Sequence, residues 1–136
     1  MKKEIVGLIK KWGSQSGKTL DEYNEEIDLI ERFFTLPFSP SQYSFICIYN
    51  GKNELISYSI EEILNDSWAL AHFGQANKDY KGIFQYTEWL HCSVLSKSGI
   101  KFLNYEQDLG LVGLKVTKKH YAPVGYLKKY ALRKKV

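Results

Sequence analysis

The order of apolar patterns along the chain predicts an α+β domain: two N-terminal helices, then a mixed, mostly antiparallel sheet with one crossover helix. Three observations carry this. Apolar residues recur at helical spacing up to Phe34. From Ser44 to Phe73, short β-rich runs alternate with turn dipeptides. A helical stretch, Asp79 to Leu95, then separates two strand-like runs. Such a crossover implies parallel pairing of the strands it joins. The 136 residues suit a single domain, with a helical segment over 1–40 and the sheet and crossover helix over 41–136.

The elements follow in order. Ile5, Val6, Leu8, Ile9 and Trp12 make a short amphipathic helix ended by Gly13. Thr19 or Asp21 caps a second helix with the stripe Tyr23, Ile27, Ile30, Phe33 and Phe34. Its acids cluster in the first turns, where the helix dipole favours them. Pro37 and Pro40 break it. Strands are expected over Ser44–Tyr49, Leu55–Ile60 and Trp68–Phe73, joined at Asn50-Gly51 and Asn65-Asp66. After the crossover helix and Gly99, Ile100–Tyr105 reads as a fourth strand, with a short basic helix from Leu109. Val124–Leu132 reads as a last strand.

Composition narrows the function classes. No run of about 18 apolar residues is present, so a membrane span is not expected. The basic start MKKEIVGLIKKWG is interrupted by Lys10 and Lys11 and does not resemble a secretory leader, so a cytoplasmic location is expected. Cys47 and Cys92 lie far apart with no CxxC or Cys/His cluster, which leaves metal binding without support. The net charge of +4 is uneven. Asp21 to Glu31 is acidic, whereas Gly110 to Val136 carries eight cations (among them Lys115, Lys118 and Lys119) and no acid. Such a basic quarter reads either as a face for a polyanion, such as RNA or an anionic surface, or as a solvated lysine-rich surface.

Chemistry concentrates in IKFLNYEQDLGLVGLKVTKKHYAP, from Ile100 to Pro123. A strand runs into an acidic turn with Glu106 and Asp108, then into the basic helix. A carboxylate at such a strand end can orient an attacking amine or take its proton. Asp108 can equally cap the helix. Lys115, Lys118 and Lys119 share one helical face. His72 ends the third strand, and His91 and His120 lie on helices. None of the three histidines has a Ser or Cys partner in a recognisable nucleophile motif.

Three antiparallel strands, a crossover helix, a strand, a short helix and a final strand resemble the second half of a GNAT-type acyltransferase fold. The motifs HFGQANKDYKGIFQ and FLNYEQDLGLVGLKVTKKHYAPV are similar to a narrower family, the phosphatidylglycerol lysyltransferase C-terminal domain. Asn77, Asp79, Tyr80, Lys81, Gly82 and Gln85 carry the first match, and Asn104, Glu106, Gln107, Asp108, Gly110, Gly113, Leu114, Lys118, Tyr121 and Pro123 the second. The resemblance extends more loosely from Trp12 to Tyr130. It implies a GNAT-like domain related to transferases that take an aminoacyl group from charged tRNA. Family members usually have two GNAT-like halves, and this chain matches the C-terminal one. A homodimer would rebuild a two-lobed cleft.

The expected catalytic residues are therefore Glu106, Asp108 and His72. Asn77, Lys78, Tyr80, Lys81, Asn104, Lys115, Lys118 and Lys119 are expected to bind substrate. Acyl-CoA is disfavoured. A pyrophosphate needs free backbone N–H groups at the start of the crossover helix, and QANKDYKGIF offers one glycine and an acid, Asp79, at that place. The alternative is an inactive half-domain that binds RNA or an anionic surface, or that dimerises.

Overall fold

Strand Leu55–Ile63 (β2) is an inner strand of the sheet. It pairs antiparallel with Tyr43–Tyr49 (β1) on one side and Trp68–Ala76 (β3) on the other. Phe102–Asn104 (β4) joins the far edge of β3 in parallel, giving the order β1-β2-β3-β4. The structure, a computed structural model, describes residues 1–37, 39–107 and 110–134. They fall into two compact units, Met1–Glu106 and the stretch from Gln107 onward.

In the first unit the two faces of β2 have different chemistry. Ile56, Tyr58 and Ile60 alternate with Ser57, Ser59 and Glu61, and all six are buried. The apolar face meets helices Lys2–Gln15 (α1) and Leu20–Phe33 (α2). Ile5, Leu8 and Ile9 of α1 and Ile27, Ile30 and Phe33 of α2 close over Tyr58 and Ile60. Each fully buried aliphatic side chain there contributes about 1.5–3 kcal/mol. The helices approach closely at Gly13, where an added Cβ would lie 2.6 Å from Tyr23 Cδ1. Thr19 and Glu22 form a reciprocal capping box that starts α2.

The polar face meets the crossover helix Ile83–Lys97 (α3). At one end Ala69, Leu95 and Ile100 make a small apolar cluster. Elsewhere the contact is polar, as in the Ser57 Oγ to Thr87 Oγ1 hydrogen bond of 2.7 Å. The crossover sets β4 parallel to β3, as the strand–helix–strand order requires. Trp68 and Phe102 stack across that pair at 4.7 Å.

Several expectations are corrected. The turn after β1 spans residues 50–54, and Asn53 rather than Gly51 takes the left-handed conformation. Helix α3 begins at Ile83 instead of Asp79, because turns over residues 77–82 come first and Gly82 adopts φ +80°. β3 continues past His72 to Ala76. In the second unit the basic helix is Val112–His120 (α4), with Leu111 at its N-cap. Leu109, the expected start, and Asp108, the expected alternative cap, lie outside the described residues. The last strand expected over Val124–Leu132 does not form, and residues 124–134 have no regular secondary structure. A strand exists only with a ladder partner, and local β propensity does not supply one.

Candidate active site

β3 and β4 part company near the middle of β3. Their parallel ladder stops at Leu70 opposite Asn104. From Ala71 to Ala76, β3 has no partner strand on that side among the described residues. At the same level the β2–β3 register passes from Ile60 opposite Phe73 to Glu61 opposite Ala71. His72 is thus the extra residue of a β-bulge, a device that re-aims a side chain.

The bulge points His72 between two carboxylates. Its Nε2 lies 2.6 Å from Glu62 Oε2, and its Nδ1 lies 3.2 Å from Glu106 Oε1. Glu62 comes from β2, and Glu106 follows β4. All three side chains are partly open to solvent, at 26% for His72, 31% for Glu62 and 39% for Glu106. Glu106 has φ +55°, which a non-glycine residue rarely adopts. Asn104 supports that turn, its Oδ1 accepting from the Glu106 N–H at 2.8 Å. The structure thus brings together three sequence-predicted residues, His72, Glu106 and Asn104, and adds Glu62. Asp108 lies outside the described residues.

A second histidine cluster occupies the other face of the sheet. His91 of α3 is 1% exposed. Its Nδ1 is 2.8 Å from Glu61 Oε1 and 3.4 Å from Ser59 Oγ. Its Nε2 is 2.8 Å from the Tyr105 hydroxyl and 3.9 Å from Glu88 Oε2. Burial alone would lower the basicity of His91. Its Cys92 interaction and the Glu61 and Glu88 carboxylates more than reverse this and lift its pKa to about 10. Burial raises the Glu88 carboxyl and, with the Glu88 charge, the Tyr105 phenol.

The loop before α3 is tied down by its own chain. Asn77 is buried, and its Oδ1 accepts from Gln15 Nε2 at 2.9 Å and from the Asp79 N–H at 3.0 Å. The Lys78 N–H donates to Gln15 Oε1 and the Tyr80 N–H to the Asn77 carbonyl. Asp79 pairs with Lys11 at 3.0 Å. The Tyr80 hydroxyl accepts from Asn50 Nδ2 at 2.8 Å. The N–H groups of Lys78, Asp79 and Tyr80, which precede α3, are therefore bonded within the chain. The side chains of Lys78 and Lys81 stand in solvent.

The second unit carries Lys115, Lys118 and Lys119 on α4. Lys118 Nζ donates to the Gln107 carbonyl at 2.8 Å, so it helps hold the chain ahead of the helix. Among the described residues no group of three His, Cys, Asp or Glu side chains is arranged to hold a metal, and no helix is long and apolar enough to cross a membrane.

Sequence reasoning missed Glu62, Glu61, Glu88 and Tyr105, and singled out His91 for nothing beyond a place on a helix. The one available signal was the β2 pattern, where Ser57, Ser59 and Glu61 alternate with apolar residues. That pattern ordinarily marks a solvent face.

No family model matches the chain, and no curated protein sequence matches it either. Solved structures do match. A conserved protein of unknown function from Bacteroides thetaiotaomicron VPI-5482 is similar with a TM-score of 0.71 and 17% identity, over 91% of this chain and 41% of that one. The chain thus spans about two-fifths of that protein's length. The ribosomal-protein-alanine N-acetyltransferase from Brucella melitensis biovar Abortus 2308 is similar with a TM-score of 0.61 and 11% identity, over 97% and 92% of the two chains. Tetrahymena GCN5 is similar with a TM-score of 0.56 and 20% identity, over 96% and 81%. The chain has the α+β fold of the GNAT acetyltransferases. At these identities the likeness establishes the fold.

Proposed function

We propose that this domain transfers an acyl group to an amine, and that the donor is an aminoacyl ester carried on tRNA. The observation that carries the reading is the His72 clamp, set where β3 and β4 separate. A His–carboxylate pair at the mouth of an opening can take a proton in the transition state. Glu62 holds Nε2 and so orients the ring. Nδ1 and Glu106 together then face one proton. In the reaction the attacking amine gives its proton to this pair while its nitrogen bonds the ester carbonyl carbon. The carbon–oxygen ester bond breaks, and the departing ribose oxygen takes the proton back. The unpaired β3 edge offers backbone N–H groups to the carbonyl oxygen.

One further point favours a tRNA-borne donor. The motifs around Asn77–Gln85 and Asn104–Pro123 resemble the phosphatidylglycerol lysyltransferase C-terminal domain, and the long Bacteroides structure has room for a second lobe. The test is transfer of radiolabelled amino acid from charged tRNA, with the wild type and Glu106→Gln. Loss of transfer in the variant is expected. Equal turnover in both removes Glu106 from the reaction.

A second reading is a domain that only binds RNA, favoured by the lysines of α4. It expects binding to uncharged RNA that weakens steeply with salt, together with no transfer.

A further inference from the structure

The two histidine clusters meet at one peptide bond. Tyr105 reaches His91 on the α3 face of the sheet, and the next residue, Glu106, reaches His72 on the opposite face. We infer that Tyr105 is a positioning residue, whose hydroxyl, anchored to His91, holds Glu106 in contact with His72. The inference rests on the reading of His72 and Glu106 as the proton-handling pair.

The argument starts from the backbone. β4 ends at Asn104, so no ladder hydrogen bonds guide Tyr105 and Glu106. Glu106 nevertheless holds φ +55°, a left-handed conformation that costs roughly 1–2 kcal/mol for an L-residue. Something must over-determine it. Asn104 contributes one bond to the Glu106 N–H, but it sits on the same short segment. Tyr105 supplies the tie to the rest of the fold. Its hydroxyl lies 2.8 Å from His91 Nε2, with Cys92 Sγ at 3.8 Å. His91 is itself fixed by Glu61 at 2.8 Å. The phenol thus closes a buried chain from β2 through α3 to the turn. With Tyr105 pinned on one face, the left-handed turn at Glu106 starts from a fixed residue, and its carboxylate reaches His72 on the other face. A phenylalanine would fill the same space without the anchor.

The test reads His72 directly, in the full chain, from its imidazole ring ¹⁵N–¹H spectrum, assigned with His72→Gln. In Tyr105→Phe the His72 signals should move to the positions they take in Glu106→Gln, because both variants lose the same contact. Thr87→Val is the control. It removes a buried hydroxyl bond from α3 to Ser57 but does not touch Tyr105. It should lower the melting temperature and leave the His72 signals in place. His91→Gln keeps an N–H donor near the Tyr105 hydroxyl and should hold the signals near their wild-type positions. Unmoved His72 signals in folded Tyr105→Phe overturn the inference, as do equal movements in Thr87→Val. The spectra do not depend on turnover, so a protein that transfers nothing would sink the proposed function and leave this result standing.

Discussion

Glu61 and Glu62 are neighbours on β2 and grip different histidines, one on each face of the sheet. Glu61 Oε1 lies 2.8 Å from His91 Nδ1, and Glu62 Oε2 lies 2.6 Å from His72 Nε2. The period of two along a strand makes this possible. Environment then separates the two clusters. His91 and Glu61 are sealed, at 1% and 0% side-chain exposure, while His72 and Glu62 keep 26% and 31%. A sealed ion pair serves structure, because nothing can reach it. A half-open one at a β-bulge, next to an unpaired strand edge, can meet a substrate.

The half-open cluster should therefore tolerate conservative change in stability but not in turnover. Glu62→Gln and His72→Gln are expected to lower transfer from charged tRNA by roughly 10²–10⁴-fold, the usual worth of general acid–base catalysis. Their thermal midpoints should stay near the wild-type value, since exposed pairs of this kind contribute about 0–1 kcal/mol. A single-turnover assay beside a melting curve separates the two effects. Variants that melt early and lose activity in proportion would count against the assignment.

The sealed cluster should make stability fall as pH rises. His91 has an ordinary pKa of 6.5 and is raised to about 10 in the folded protein. Between those values the folded chain keeps a proton that the unfolded chain releases. The stabilisation is thus fully present below 6.5 and is lost as pH climbs through about 10. Glu88 and Cys47 are also raised by burial and act with the same sign, Glu88 on the acid side and Cys47 above its usual thiol range. The informative quantity is therefore a difference. Urea midpoints of the wild type should fall between about pH 6 and about pH 9.5 by more than those of His91→Gln. Parallel curves would show that His91 is not held charged.

Much of the fold was legible because period and punctuation agreed. Ile5, Leu8 and Ile9 repeat at helical spacing and are buried together, and the helical stretch after β3 forces β4 parallel. The polar layer under α3 was not legible. Ser57, Ser59 and Glu61 look like a solvent face until Thr87, Glu88 and His91 are laid on them, and no local pattern announces that partner. Three of the four candidate-site residues, His72, Asn104 and Glu106, were readable in the sequence. Glu106 and His72 stood out as polar groups at strand ends. Glu62 was hidden, because its register against His72 depends on a bulge that one residue creates. The final strand over 124–132 failed where propensity had no pairing to support it.

The loop ahead of α3 should collapse without Asn77. Asn77 is 3% exposed and joins α1 to the turn through Gln15 and the Asp79 N–H. Asn77→Ala removes both of these part-buried hydrogen bonds, at a cost of about 0.5–1.5 kcal/mol each. Native-state hydrogen exchange should show faster exchange at Lys78, Asp79 and Tyr80, with β1 and β2 unchanged. Protection retained at Asp79 would show that the side chain is not what orders the turn.

Two glycines in α1 should respond oppositely to the same substitution. Alanine favours a helix interior over glycine by about 0.8–1.0 kcal/mol. At Gly7 nothing lies within 4 Å of an added Cβ, so Gly7→Ala should gain most of that amount. At Gly13 the new Cβ would sit 2.6 Å from Tyr23 Cδ1 and 3.0 Å from Tyr23 Cβ, so the whole ring root is in the way. Tyr23 belongs to α2 and packs against the apolar core. Moving it separates the two helices, and overpacking of this kind costs roughly 1–3 kcal/mol, which outweighs the propensity gain. Denaturant midpoints should therefore rise for Gly7→Ala and fall for Gly13→Ala. The double variant Gly13→Ala with Tyr23→Leu should recover part of the loss, since leucine is smaller and can yield. A Gly13→Ala protein as stable as the Gly7→Ala one would mean that α1 and α2 do not cross at Gly13 in solution.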